Sequence, residues 1–386
     1  MALNRKSAVI GSALFLPDRC KDKSLEEALY EIAQEAIRDA GLTMDEVDGI
    51  VVGSNDQFDG RAISVMMASG SVGGVDRDIL STPSSGEHAF VLGVLRVASG
   101  QFETQLVISW SLTEASSLSE AQRLGADPYF HRRLPLDEGS AFALQASVIG
   151  AAWPQAHDLA TPILIKNRGN GAKAYPGAAG AKVDRQSVDS SRPKRWPLRE
   201  AMLPPPAAGI VALVIASDAH IEERGIKNPA WIRGMGWATE TGFLGDRDLK
   251  SAPALDAAAE RAYEEAGITD PRKALDLVEL TDATPYQELL VYDRLGLSSP
   301  DKWQSDVNGG SFSADGGLPV NLSGGVAAYN PVFCTGLMRI AEAANQIRGK
   351  AGAHQKNGAK LALAHAASGF AMQYQTVLVF GAERGE

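Results

Sequence analysis

Residues 24–53 read SLEEALYEIAQEAIRDAGLTMDEVDGIVVG. Leu25, Ala28, Leu29, Ile32, Ala36 and Ile37 return every three or four positions, which lays one apolar stripe along a helix. Ser24 stands at the N-cap with acidic residues in the turn behind it, and Gly41 ends the helix. A short acidic turn follows, and Val47 to Val52 reads as a buried strand. The stretch at 254–282, ALDAAAERAYEEAGITDPRKALDLVELTD, repeats the order, with Ala266-Gly267-Ile268 answering Ala40-Gly41-Leu42. A second pair lies downstream of each. GEHAFVLGVLRVASGQFETQLVISW (86–110) gives glycine, helix, glycine, strand, and GLMRIAEAANQIRGKAGAHQKNGAKLALAHAASG (336–369) gives the same with a longer connector. AGIVALVIAS (208–217) and YQTVLVFG (374–381) are apolar strands that close each half. One such match is chance. Three in one order predict a duplicated unit and two packed α/β halves.

The rest of the chain narrows the function classes. Its 386 residues are 45% hydrophobic and 22% charged, the profile of a folded globular protein with more than one core. A net charge of −10 disfavours nucleic-acid binding, which needs a basic surface. No apolar run is long enough to span a membrane. Asn4-Arg5-Lys6 and SAVIGSALFL (7–16) imitate a secretion signal, but Pro17-Asp18-Arg19 follow without a cleavage site. A first buried strand in a cytoplasmic protein is expected instead. Cys20 and Cys334 make no disulfide framework, and no Cys/His spacing suits a metal.

Between the halves the composition changes. From 121 to 199 there are twelve Lys/Arg against six Asp/Glu, a segment of +6 in a remainder of −16. Arg192, Lys194 and Arg195 lie at its end. They read either as a solvated loop face or as a rim for the phosphates of a small polyanion. TPILIKNRGNGAKA (161–174) offers Gly169-x-Gly171-x-x-Ala174 after a strand-like run, but Tyr175-Pro176-Gly177 denies that dinucleotide motif its helix. Three polar loops in the second half remain: 279–297 with Asp282 and Tyr286, 320–349 with Gly324 and Gly325, and 364–381 with His365, Ser368 and Gly369. Strand ends and helix starts of this kind are where α/β sheets hold ligands and present backbone amides to an oxyanion.

These segments resemble the thiolase superfamily, most closely the sterol-carrier-protein-type thiolases and acetyl-CoA acetyltransferase-like proteins. The resemblance rests on ELLVYDRLGL, on the run NLSGG…NP…TG…QIRG, on NGAKLAL, on Gly60-Arg61-Ala62-Ile63-Ser64 and on GEHAFVLGVLRVASGQ. It implies a five-layered α-β-α-β-α fold of two duplicated halves, 1–115 (completed by 207–230) and 231–386, around a loop domain at 116–206. It also implies an acyl-CoA thioester as substrate with no further cofactor, and a homodimer or larger assembly paired through a strand near 104–110. A small zinc-ribbon/OB-fold partner protein is implied by the same analogy.

The chain departs from the family where the chemistry is. The family's nucleophilic cysteine turn reads Pro83-Ser84-Ser85-Gly86, its His-Asp-x-Phe reads Thr281-Asp282-Ala283-Thr284, and its Gly-His-Pro reads Tyr329-Asn330-Pro331. Proline offers no nucleophile, and asparagine cannot take a proton as imidazole does. Three readings follow. One is aldolase-type C–C cleavage of an acyl-CoA without a covalent intermediate, with Asn330 on the enolate and Tyr329, Tyr286 or Asp282 as base. Another is an acyltransferase using Ser84 or Ser85, with His365 brought near by the fold. The last is a non-catalytic subunit that supports an active thiolase-like chain.

Overall fold

The computed structural model describes residues 5–16, 22–60, 62–83, 85–111, 117–134, 136–178, 180–204 and 207–385. In the first half, β1 (Ser7–Phe15) leads to α1 (Leu25–Asp39), β2 (Gly49–Gly53) and β3 (Asp78–Thr82). Then come α2 (Gly86–Ala98) and β4 (Thr104–Ser111). The insert carries α3 (Leu118–Gly125), α4 (Glu138–Ala152), α5 (Ala156–Ala174) and a small hairpin of β5 (Pro193–Arg195) and β6 (Leu198–Arg199). After it, β7 (Gly209–Ser217) completes the first half. The second half runs β8 (Ala230–Thr239), α6 (Pro253–Ala266), β9 (Leu277–Leu280), α7 (Pro285–Arg294), α8 (Thr335–Arg348), β10 (Leu361–Ser368) and β11 (Tyr374–Gly381).

The strand order is β3-β2-β4-β7-β1-β8-β11-β10-β9. Read outward from its centre, the first half gives β1, β7, β4, β2, and the second gives β8, β11, β10, β9. Each half therefore places its first strand innermost and its last strand beside it, antiparallel, with a parallel pair beyond (β4·β2 and β10·β9). The halves join through two residue pairs, Ala8↔Trp231 and Val9↔Ala230.

Side-chain alternation separates three cores. Along β7, Ile210, Ala212, Val214 and Ala216 face α1, whereas Val211, Leu213 and Ile215 face the opposite way. That second face meets Phe90 and Val94 of α2 and Leu337 and Ala341 of α8, together with Leu378 and Phe380 of β11. Val377 and Val379 of β11 turn outward onto Leu255, Ala258 and Ala262 of α6. Helix, sheet, paired central helices, sheet and helix make five layers. Both halves also use a glycine where the first helix crosses the first strand. A Cβ on Gly11 would come within 2.3 Å of the Ala36 carbonyl, and one on Gly234 or Gly236 within 2.0 Å of the Ala262 or Ala258 carbonyl.

Two expectations are corrected. Residues 161–168 are not strand-like but belong to α5, an interior helix that continues through Pro162. Their apolar run is a buried helical face of Leu159, Ile163 and Leu164. The strand near 104–110 has no free edge for pairing two copies, because β4 is hydrogen-bonded by β2 on one side and β7 on the other. The open edge of that half is β3.

Candidate functional site

The fold draws the polar loops of the second half against the start of α2. They enclose a cavity of about 320 Å³. Pro83 and Ser85 come from the start of α2, Thr281 and Ala283 from the end of β9, Asn330 and Thr335 from the approach to α8, and Ser368 and Gly369 from the end of β10. Two long helices thus begin at the cavity, and helix starts favour negative charge. Thr335 Oγ1, Ser368 Oγ and Gln287 Oε1 are buried in this wall without hydrogen-bond partners. Buried polar atoms ordinarily find partners, so these three are available to a polar ligand in the cavity.

The insert supplies much of the remaining wall, beside Asn55 and Gln57 after β2. Gln122 of α3 and Glu138 of α4 line the cavity and bond each other twice. Gln122 Nε2 donates to Glu138 Oε2 at 3.1 Å, and the Glu138 amide donates to Gln122 Oε1 at 3.2 Å. Burial pushes the Glu138 carboxyl up to about 7, with the neighbouring Asp137 charge adding to the rise and Gln122 opposing it. Asp137 itself caps α4, accepting from the Ser140 amide at 2.8 Å and from Arg195 Nη2 at 3.0 Å. Burial works against its charge, but Ser140 and Arg195 prevail and hold its carboxyl below the ordinary range. The two adjacent carboxyls are split by environment. Sequence reading missed Glu138. The available signal was an Asp-Glu pair opening the apolar run AFALQASVIGAA, which shows a helix start but not what it faces.

A larger chamber of about 650 Å³ adjoins the cavity and shares Gly125, Ala126, Phe370, Gln373 and Tyr374 with it. Its walls carry several aromatic rings, with His131 stacked on Phe243 at 5.2 Å between ring centroids and Phe130 also in the lining, together with Asp127 and Asp246.

The structure separates the residues expected from sequence. Asn330, Ser85, Ser368 and Gly369 meet in the cavity wall. Ser84 lies outside the described residues, as does Cys20. Tyr329 does not reach the cavity, because its buried hydroxyl donates to the Ala208 carbonyl. Tyr286 is turned to His157, 2.8 Å from Nδ1, and burial raises its hydroxyl to about 12, so neither phenol is placed as a base. Asp282 is likewise behind the wall. It accepts from the Val326 amide and from Asn167 Nδ2, both at 2.6 Å, and burial followed by the nearby Glu288 raises its carboxyl well above the usual range. His365 is within β10, not in a loop. Burial lowers its imidazole to about 4, and Nε2 lies 2.8 Å from Gln375 Oε1.

Gly324 and Gly325 form the turn behind the wall instead of a ligand cradle. A Cβ on Gly324 would meet Gly171 of α5 at 2.4 Å, and one on Gly325 would meet Asp282 at 2.2 Å. Arg192 and Lys194 are exposed on the insert's hairpin, while Arg195 and Trp196 border a shallow groove of about 390 Å³. Cys334 is buried against the Gly209 carbonyl. Among the described residues no group of three or more His, Cys, Asp or Glu is arranged to hold a metal ion, and no helix is long and apolar enough to cross a membrane.

Comparison with known proteins agrees with this architecture. Residues 238–382 match the family described as thiolase C-terminal domain-like. The acetyl-CoA acetyltransferase of Methanothermobacter thermautotrophicus is 25% identical over 369 residues, covering 94% of this chain and 96% of that protein. Sterol carrier protein 2 of Oryctolagus cuniculus is 32% identical over 185 residues, covering 46% of this chain, which spans about a third (33%) of that protein's length. The solved Ltp2-ChsH2(DUF35) aldolase superposes with a TM-score of 0.82 at 19% identity, covering 100% of both chains. The mirrored halves, the five layers and the C-terminal match agree: the chain has the thiolase fold, and its residues 238–382 match the thiolase C-terminal domain-like family.

Proposed function

We propose that the protein cleaves or forms a carbon–carbon bond in an acyl-CoA thioester by aldol chemistry, without a covalent acyl-enzyme. The observation that carries this reading is Pro83 in the cavity wall at the start of α2, the position that the resemblance aligns with the family's nucleophile. A retro-aldol step needs no nucleophile. The β-hydroxyl loses its proton, the Cα–Cβ bond breaks, and its electron pair passes into the thioester as an enolate. Asn330 and the helix starts are suited to that developing oxyanion. The name of the superposing aldolase is consistent with the reading, and its pairing with a second chain supports a partner protein for this one on the same footing. The aromatic chamber suits an apolar, ring-sized acyl fragment. Exposed Arg192 and Lys194 suit the phosphates of coenzyme A, so thioester affinity is expected to weaken with salt and several-fold in Lys194→Glu.

Ser85 supports a second reading as acyltransferase, since it lies buried in the same wall. Intact-mass spectrometry after incubation with acetyl-CoA divides the two. We expect no adduct, together with release of a shortened acyl-CoA from a β-hydroxyacyl-CoA, alone or with the partner. An acetyl group on Ser84 or Ser85 establishes the acyltransferase. Tight thioester binding with neither outcome leaves a supporting subunit.

A further inference from the structure

We infer that Glu138 is the catalytic residue that carries the proton in this reaction, taking it from the substrate hydroxyl and returning it to the enolate carbon. The inference rests on the aldol reading and adds the acid–base group which that reading lacks once Tyr329, Tyr286 and Asp282 are found facing elsewhere. Glu138 is the one carboxyl among the described residues lining the cavity, and Tyr374 is the one other titratable side chain there. Glu138 and Asn330 also share the wall of a neighbouring cleft of about 320 Å³, so the two residues border the same two openings.

The carboxylate is held from two sides. Its backbone is fixed in the first turn of α4, and Gln122 grips both its side chain and its amide. Of the charged groups around it, Asp137 shares the cleft and raises the carboxyl, and Arg195 on β5 is paired with Asp137. Arg195 is therefore engaged by a carboxylate other than Glu138. A carboxyl poised near neutrality can hold a proton in one step and release it in the next.

The proton count closes without a co-reactant. Ionised Glu138 accepts the hydroxyl proton as Cα–Cβ breaks, and the Cβ fragment leaves as an aldehyde or ketone. The enolate, its oxygen facing the Asn330 amide, then takes the proton from Glu138 at Cα, giving the shortened acyl-CoA and the starting carboxylate.

The test is the pH profile of β-hydroxyacyl-CoA cleavage in the wild type, Glu138→Gln and Glu138→Asp, using the full chain with any partner it requires. The wild-type kcat should rise with pH through about 7 and then level. Glu138→Gln should lose about a hundredfold or more and the pH limb with it, while Glu138→Asp keeps a part of the activity. Affinity for a thioester lacking the β-hydroxyl should stay within about threefold, as general-base loss without binding loss requires. Wild-type rates and an intact limb in Glu138→Gln overturn the inference and leave the aldol reading standing. A wild type that cleaves nothing overturns the aldol reading. In that case ¹³C NMR of the glutamate carboxyls still judges the placement. A resonance absent from Glu138→Gln should titrate near neutrality and shift when the thioester binds, and one that ignores the thioester refutes its facing the ligand.

Discussion

Asn330 shows what one side chain can be asked to do. It lines the cavity wall beside the start of α8, and in the proposed aldol reaction its amide is the donor to the enolate oxygen. We expect Asn330→Ala to cut kcat for aldol cleavage by about a hundredfold or more while leaving thioester affinity nearly unchanged, the mark of a donor that acts on the transition state. Steady-state kinetics beside calorimetric binding checks this, and an equal loss in both quantities would assign Asn330 to binding. His365 makes a different prediction. Its imidazole is held neutral by burial, with a folded pKa near 4 against 6.5 when free. The unfolded chain binds the extra proton first, so this group's contribution is complete above pH 6.5 and is lost as pH falls toward 4. The loss amounts to about 3 kcal/mol. Urea unfolding followed across that window should show a slope that His365→Asn reduces; a variant with unchanged slope would contradict it. At this scale the sequence was least informative. Pro83 and Asn330 were legible because they occupy motif positions, but Tyr329, Tyr286 and Asp282 were equally plausible by position and are turned away. Whether a side chain lines a cavity depends on what packs behind it, and no local pattern records that.

Between elements, the site is braced from behind by buried charge. Arg339 of α8 donates to Glu279 at 3.0 Å and to Ser323 at 2.5 Å, with Arg339 and Glu279 fully buried. Glu342, one turn along α8, takes Tyr175 and lies 2.7 Å from His354 Nε2. Lys166 and Asn167 of α5 close on Glu288 of α7, Lys166 at 2.7 Å. The insert is in this way tied into the second half. Arg339→Met leaves Glu279 buried without its cation and should cost about 3–5 kcal/mol, while Arg339→Met with Glu279→Leu should recover much of it. Equal stabilities for single and double variants, by urea denaturation, would show that the pair is not coupled. Gly324 is held at φ +93° against the α5 backbone, so Gly324→Ala should destabilise by at least about 2 kcal/mol. Elements with clear periodicity and caps, such as α1 with its Ser24 capping box and α6 ended by Gly267, were readable from the sequence. The helix at 156–174 was not, because its run TPILI has the composition of a strand and a proline that usually stops helices.

Across the whole molecule the duplication was legible, since helix-strand order survives in composition even where identity does not. The joining of the halves was not, because it depends on two backbone pairs at the centre of the sheet and on the packing of α2 against α8, which no local pattern records. Of the sheet's two ends, β3 carries Leu80 at 44% exposure, with Met66 at 69% and Val75 at 65% close by in sequence. An open, apolar strand edge is a template for pairing. We therefore expect light scattering at micromolar concentration to give a dimer that Leu80→Lys returns to monomer; a monomeric wild type would refute pairing through this edge.

The central place of β1 has a consequence for how the chain is made. Its partners are β7 and β8, and Ser7 pairs with Ser217, at the far end of the inserted segment. At roughly 5–20 residues per second, a ribosome needs on the order of 10–40 s to deliver β7 after β1 has left the tunnel. Throughout that interval an apolar strand waits with both edges open, and α1 can cover one face of it only. We expect the nascent first half to be a client for whatever shields unpaired strands during translation, until β7 closes one edge of β1 and β8 then pairs on the other.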